Sequence, residues 1–288
     1  MAMNPVFNRT DKEAAGGGYA GFGAPRMQDR PAQGYPQTGY PGPSESMSPA
    51  QLEQMYQQAP AGPAQTGRLT LDDVVMKSLV LFAIVTGTAA ATWYLVGPQP
   101  ELAMPVWLLG MFGSLALSFV IAFSKKVNVP LIMVHALLQG AFLGAVSVTF
   151  ENLYPGIVST AVVATMGTFA GMFLVWKLGW IKVTSKSRRI FSMMAVGYLI
   201  FLLANLGASF LGFGDGWGVY SGPLGILISL FGVGMASYSL AVDFDSVDRS
   251  VRAGAPEKYS WLLGHGLVAS LVWLYIEILR LLSILQRN

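Results

Sequence analysis

Residues Val75 to Val96 read VMKSLVLFAIVTGTAAATWYLV and hold a single charged side chain, Lys77. A helix needs about 20 apolar residues to cross the hydrocarbon core of a bilayer, so this stretch predicts a membrane span. Just before it, Thr70 and Asp73 fit a capping box, in which each side chain accepts a hydrogen bond from the backbone N–H of the other residue. The fold is therefore expected to begin with a capped helix that inserts into a membrane.

Six further apolar segments of similar length follow this first span. With it they make seven: Val75 to Val96, Ala103 to Phe123, Val129 to Phe150, Ile157 to Leu178, Ile190 to Leu211, Leu224 to Ser246 and Leu267 to Leu285. Because the connections are short, consecutive helices are expected to be antiparallel neighbours. The sequence thus predicts an all-α membrane protein, a seven-transmembrane-helix bundle occupying residues 68–288 and in contact with a lipid bilayer.

The overall composition agrees with a membrane protein. Of the 288 residues 53% are hydrophobic and 11% are charged, whereas an ordinary soluble domain has about 25% charged residues. The net charge of +3 is too small to favour a nucleic-acid partner. Since the chain has no cysteine, thiolate metal sites and cysteine nucleophiles are excluded, and no cofactor is predicted.

Residues 1–67 differ from the rest because they are rich in Gly, Pro and Tyr, as in GYPQTGYPGP. Such a segment buries too little apolar surface to offset the entropy of ordering, so a disordered cytoplasmic tail is predicted. Either it binds itself or an unidentified partner protein, or it is a solvated extension without a specific role.

The basic residues predict the orientation of the bundle. Lys and Arg concentrate on one side of the predicted spans: Arg68, Lys77, Lys125, Lys126, Lys177, Lys182, Lys186, Arg188, Arg189, Arg249, Arg252 and Lys258. The opposite loops carry Glu101, Glu151 and Asp215 instead. Because short basic loops stay in the cytoplasm, we expect a multi-pass protein of the cell membrane with a cytoplasmic N-terminus.

Two GxxxG patterns, Gly140 with Gly144 and Gly167 with Gly171, favour close helix packing in lipid. Packing within one chain is the simpler interpretation. A homo-oligomer formed through these glycines is the alternative.

Ionisable residues inside the spans are costly and therefore suggest a functional site. Asp243 and Asp245 lie near the end of the sixth segment, and Glu277 and Arg280 lie in the last. If the last helix starts after a break at Gly264–Gly266, Glu277 lies ~15 Å along it. If the sixth helix continues to about Val251, Asp243 lies ~12 Å from its end. Two acids at one depth would repel and are expected to share a proton.

Each of these polar residues also has an alternative interpretation. Glu277 has the helical spacing to form a local ion pair with Arg280, and Asp245 could lie among lipid headgroups. His135 and His265 are expected in packing or interfacial positions. A metal site formed by the two histidines with Glu277 is the alternative, although no spacing supports it.

These acids make the chain resemble the Bax-inhibitor family of seven-span membrane proteins, in particular its bacterial YccA-like branch. Asp243-Phe-Asp245 matches the family's Asp-x-Asn/Gln pattern, and Leu274-Tyr-Ile-Glu277 matches its Leu-Tyr-x-Asp pattern with Glu in place of Asp. The resemblance covers about Thr70 to Leu285. It implies a pH-sensitive calcium leak channel gated by a hydrogen-bonded pair of carboxylates, with Asp243 favoured over Asp245 as the partner of Glu277.

We therefore expect a cation leak, with calcium the expected ion, in which Asp243 and Glu277 carry the proton switch while Asp245 and Arg280 tune it. No enzymatic turnover is expected. A non-conducting stress-response scaffold that works through the tail is a rival function. An intramembrane aspartyl protease is another, because Gly212-Phe-Gly214-Asp215 spells GxGD, but a tight turn explains these glycines more simply.

Overall fold

The computed structural model describes residues 67–124, 126–211 and 222–287. Within these ranges the chain forms seven α-helices long and apolar enough to cross a membrane. They are α1 (Leu71–Val96), α2 (Ala103–Phe123), α3 (Val129–Leu153), α4 (Ile157–Lys177), α5 (Ser185–Phe210), α6 (Gly222–Arg252) and α7 (Ser260–Arg287). The predicted all-α bundle is confirmed. The tail, apart from Gly67, and the Gly212–Asp215 motif lie outside the described residues.

The start of α1 forms as its sequence predicts. Asp73 N donates to Thr70 Oγ1 at 3.1 Å and Thr70 N donates to Asp73 Oδ2 at 3.1 Å, which completes the capping box. The backbone just before it is tied to the loop after α6, because Leu69 N donates to the Ala255 carbonyl at 2.8 Å. We call the membrane side where α1 begins the near side and the side where it ends the far side.

Three helices form the centre of the bundle. About half of the residues in the apolar stretches of α3, α6 and α7 are buried, against fewer than one in five in the other four helices. The last helix, α7, packs against α1, α3, α4 and α6. Ser260, Glu277 and Ser283 of α7 are therefore buried inside the protein rather than exposed to lipid.

Only some of the consecutive helices pack closely against each other. The pairs α2–α3 and α6–α7 pack closely as predicted, but the main partners of α1 are α3 and α7, and those of α4 are α6 and α7. Close approach of α1 and α3 depends on the first GxxxG pattern. A Cβ on Gly144 would lie 2.8 Å from the Thr92 Cβ, and one on Gly140 would lie 2.8 Å from the Thr88 Cβ.

The second GxxxG pattern has no such role among the residues that the structure describes. A Cβ added to Gly167 or Gly171 would meet nothing within 4 Å. The expectation that both patterns pack helices within one chain is therefore correct for α3 and wrong for α4.

The last helix begins earlier than its sequence suggests. The predicted break at Gly264–Gly266 is wrong, since α7 runs without interruption from Ser260 to Arg287. Glycine in a helix interior costs only about 1 kcal/mol, and here it permits close contact with α1: a Cβ on Gly264 would lie 3.0 Å from the backbone N of Ser78. This earlier start changes the depth of every residue in the helix.

Candidate functional site: two separated buried acids

The Glu277 carboxylate lies in the middle of the bundle and is 1% exposed. Trp273, one turn before it, donates to Oε1 at 3.0 Å, and Arg280, three residues after it, donates to Oε2 at 3.0 Å. These spacings place all three side chains on one face of α7. Tyr198 of α5 donates from its hydroxyl at 3.1 Å to Oε1 and 3.0 Å to Oε2.

A glycine of α6 makes room for this cluster. A Cβ at Gly232 would lie 2.8 Å from Glu277 Cδ and would also collide with the Tyr198 hydroxyl. The acid is thus enclosed by α5, α6 and its own helix, with a charged partner inside the cluster. The alternative that Glu277 forms an ion pair with Arg280 is confirmed, with an N–O distance of 3.0 Å.

Asp243 lies in a different environment, although it too is buried, at 7% exposure. Its Oδ2 accepts a hydrogen bond of 2.5 Å from the Ser270 hydroxyl of α7. Its neighbours in the chain, Val242 and Phe244, are also buried. Among the described residues no Lys, Arg or His lies within the 4.0 Å of an ion pair with this carboxylate, so its hydrogen-bond partner is a neutral hydroxyl.

The structure does not bring Asp243 and Glu277 together, and the predicted hydrogen-bonded pair is wrong in this conformation. Glu277 follows the start of α7 by 17 residues, ~25 Å, whereas Asp243 precedes the end of α6 by nine residues, ~14 Å. Ser270, ten residues into α7, lies ~15 Å along it, at the level of Asp243. The expected equal depth failed because it assumed that the last span starts after Gly266.

Asp245 is not the partner of Glu277 either. It is bound by Arg188 of α5, whose Nη2 lies 2.5 Å from Oδ2, and by Arg249 one turn later at 3.0 Å. Arg188 is itself buried, at 5% exposure, and its Nη1 donates to Ser246 at 3.1 Å. This ion pair fixes the start of α5 to the end of α6 on the near side. Asp248, further along, pairs with the exposed Arg252 at 3.0 Å.

The two histidines form a third polar connection. His265 Nε2 lies 3.0 Å from His135 Nδ1, and His135 Nε2 lies 2.8 Å from the Ser118 hydroxyl, so this chain links α7, α3 and α2. Within the described residues no three His, Asp or Glu side chains are grouped as metal ligands. The alternative of a metal site that includes Glu277 finds no support here.

Four residues of these clusters were missed by the sequence analysis as site residues: Arg188, Tyr198, Ser270 and Trp273. Trp273 could have been found from its spacing to Glu277, since residues four apart share a helix face. Arg188 was taken as a loop cation, and Ser270 and Tyr198 gave no signal, because common residues in apolar helices reveal their partners only in three dimensions.

These features define a multi-pass helical membrane protein with two buried acids in its last two helices. The family model described as Bax inhibitor 1 like matches residues 4–287, nearly the whole chain, and the protein belongs to this family. The resemblance expected from Asp243-Phe-Asp245 and Leu274-Tyr-Ile-Glu277 is therefore confirmed. No curated protein sequence matches the chain.

Proposed function

We propose that this protein is a pH-sensitive cation leak channel, with calcium as its principal ion, and that Asp243 is the group whose protonation closes it. The observation that carries the proposal is the contact between Asp243 and Ser270. A neutral hydroxyl is the hydrogen-bond partner of this buried carboxylate, and Arg188, which acts on it electrostatically, is held in an ion pair by Asp245. The charge of Asp243 is therefore compensated only in part, and the bilayer makes such a charge costly.

The proposed mechanism follows from this cost. Binding of either a proton or a metal cation stabilises a buried carboxylate by neutralising its charge. The proton and the cation compete for the same oxygens. Carboxylate and hydroxyl oxygens are ligands suited to calcium. When Asp243 is ionised it attracts cations into the bundle, and when it is protonated that attraction is lost. The leak therefore decreases as the pH falls.

Glu277 has a different role in this proposal. Its two oxygens are already bound by Tyr198, Trp273 and Arg280, so Arg280 takes the place that a mobile cation would occupy. In this proposal the cluster is the gate of the channel. The gate opens when Arg280 moves away from the Glu277 carboxylate. Asp245, held by Arg188, tunes the near-side entrance.

The orientation belongs to the proposal as well. The basic residues on the near side, with Arg188 and Arg249 at the ends of α5 and α6, support a cytoplasmic N-terminus in the cell membrane. We propose transport without enzymatic turnover. The near side is then the side whose proton concentration controls Asp243, because Asp243 lies in the near half of α6.

Calcium flux into liposomes that contain the purified full chain tests this function. Flux is followed with a trapped calcium indicator from about pH 5 to pH 8, the range in which physiological switches operate. Wild type is expected to leak more at high pH, and Asp243→Asn to lose the pH dependence. Asp248→Asn is the matched control and should keep the wild-type profile. A wild type without flux, or an Asp243→Asn variant with an unchanged profile, would overturn the proposal.

A further inference from the structure

A cavity of about 470 Å³ opens between α1 and α4, with α3 and α7 as its floor. Val85 and Ala89 of α1 line one wall, Val162 of α4 lines the other, and Leu271 and Tyr275 of α7 lie at the bottom. It is separate from the clusters around Asp243 and Glu277, since neither residue lines it.

The hydroxyl groups of Thr86, Ser147, Thr165 and Tyr275 in the wall already have partners. Thr86 and Thr165 donate to carbonyls one turn earlier in their own helices, at 2.8 and 2.7 Å. Ser147 donates to the Leu143 carbonyl at 2.7 Å and shares a hydrogen bond of 2.8 Å with the Tyr275 hydroxyl. A buried water needs two to four polar partners, and these hydroxyl groups already donate to backbone carbonyls or bond to each other. The cavity therefore suits hydrocarbon rather than water.

The position of the cavity indicates that this hydrocarbon is supplied by the bilayer. Val162 is 44% and Met166 38% exposed, so the opening faces the bilayer between α1 and α4. At the far-side end lie Trp93 and Tyr94, of which Tyr94 is 80% exposed. Trp and Tyr concentrate at the level of lipid headgroups. A lipid placed here has its headgroup beside these rings and one chain directed into the cavity.

We infer that the cavity is a binding site for one acyl chain of a membrane phospholipid in the far-side leaflet. The chain enters sideways from the bilayer and lies between α1 and α4. It passes the half-buried Leu271 and reaches Tyr275, which bulk lipid does not contact because Tyr275 is only 7% exposed. The bound chain thereby fills the space between α1 and α4 over the face of α7 that carries Tyr275.

The inference is tested by photochemical labelling of the full chain in phosphatidylcholine vesicles. A small fraction of the lipid carries a diazirine in the middle of one acyl chain, and labelled residues are identified by mass spectrometry after irradiation. Wild type should be labelled at Tyr275, the buried residue of the cavity wall. Val162→Phe, which fills the mouth of the cavity, should lower this labelling several-fold.

Val163→Phe is the matched control, because Val163 is the next residue of α4, is 73% exposed and does not line the cavity. It should label as wild type does. Ala90→Phe, which fills the cavity from α1, serves as a second variant should Val162→Phe fail to fold. The inference would be overturned if Tyr275 were not labelled in wild type. It would also be overturned if this labelling were unchanged in a folded Val162→Phe or Ala90→Phe variant. Modification of Tyr275 by hydroxyl radicals generated in water would overturn it as well, because it would mean a wet cavity.

Discussion

Ser270 of α7 donates a hydrogen bond of 2.5 Å to Asp243 of α6 and so joins two central helices at a buried acid. The expected partner of Asp243 was another carboxylate. A hydroxyl in that place holds the acid without neutralising it, and Arg188, which is paired with Asp245, compensates its charge only in part. In the proposed mechanism the proton switch then depends on one acid and its hydroxyl partner rather than on two acids.

Replacing Ser270 tests the role of this hydroxyl. A hydrogen bond to a charged group is worth about 1.5–3 kcal/mol, so Ser270→Ala should make the ionised form of Asp243 harder to reach. We expect the pH of half-maximal calcium leak to rise. Ser270→Thr keeps the hydroxyl and should restore the wild-type midpoint. Equal midpoints in wild type and Ser270→Ala would mean that the bond has no part in the switch.

Gly232 should be required for the Glu277 cluster. In Gly232→Ala the added methyl group collides with the carboxylate and with Tyr198, so the acid must move and its contact with Arg280 is disturbed. We expect a leak that is larger than wild type at every pH, measured as calcium flux in liposomes. Gly234→Ala is the control on the same helix, since a Cβ there meets nothing within 4 Å. If both alanine variants leak equally, the cluster is not the gate.

Arg188 should stabilise the bundle more than an ordinary surface cation. Arg188→Ala leaves Asp245 with the partly exposed Arg249 and removes the bond to Ser246, so we expect a loss of about 1–3 kcal/mol in the free energy of unfolding. Arg252→Ala breaks an exposed pair with Asp248 and should cost about 0–1 kcal/mol. Denaturant titration of the purified protein in detergent measures both. Similar losses in the two variants would contradict the structural role given to Arg188.

Deletion of residues 1–67 separates the channel from the scaffold function. If the helical bundle conducts, the shortened chain should keep the calcium flux and the pH profile of wild type in liposomes. The same preparation checked by gel filtration controls for aggregation. Loss of flux from a well-folded shortened chain would show that the tail takes part in transport.

The sequence predicts most of the fold because a bilayer imposes simple requirements. The length of the apolar segments predicts the seven spans, and the capping box at Thr70 predicts the start of α1. The order of packing could not be predicted in the same way, since short loops fix direction but not which helices touch. The contact of α1 with α3 and α7 depends on small residues such as Gly144 and Gly264, whose partners are distant in the sequence.

The candidate site was predicted only in part, because the depth of a residue depends on where its helix begins. The cost of charge in lipid singled out Asp243 and Glu277 correctly as buried groups. Their pairing rested on a depth comparison, and a helix that starts at Ser260 instead of Leu267 moves Glu277 by seven residues, ~10 Å. Tyr198, the partner of Glu277 on α5, could be located only once the helices were packed.

The most direct measurement is the pH profile of calcium flux in a variant that removes both charges of the central ion pair, Glu277→Gln with Arg280→Gln. The paired change avoids leaving the partly buried Arg280 without the carboxylate of its ion pair, since breaking such a pair by removing one partner is destabilising in itself. If Asp243 carries the switch by itself, this variant leaks more than wild type and still loses flux as the pH falls. If its flux is independent of pH, Glu277 shares the proton with Asp243 and the separation of the two acids seen here does not describe the working channel.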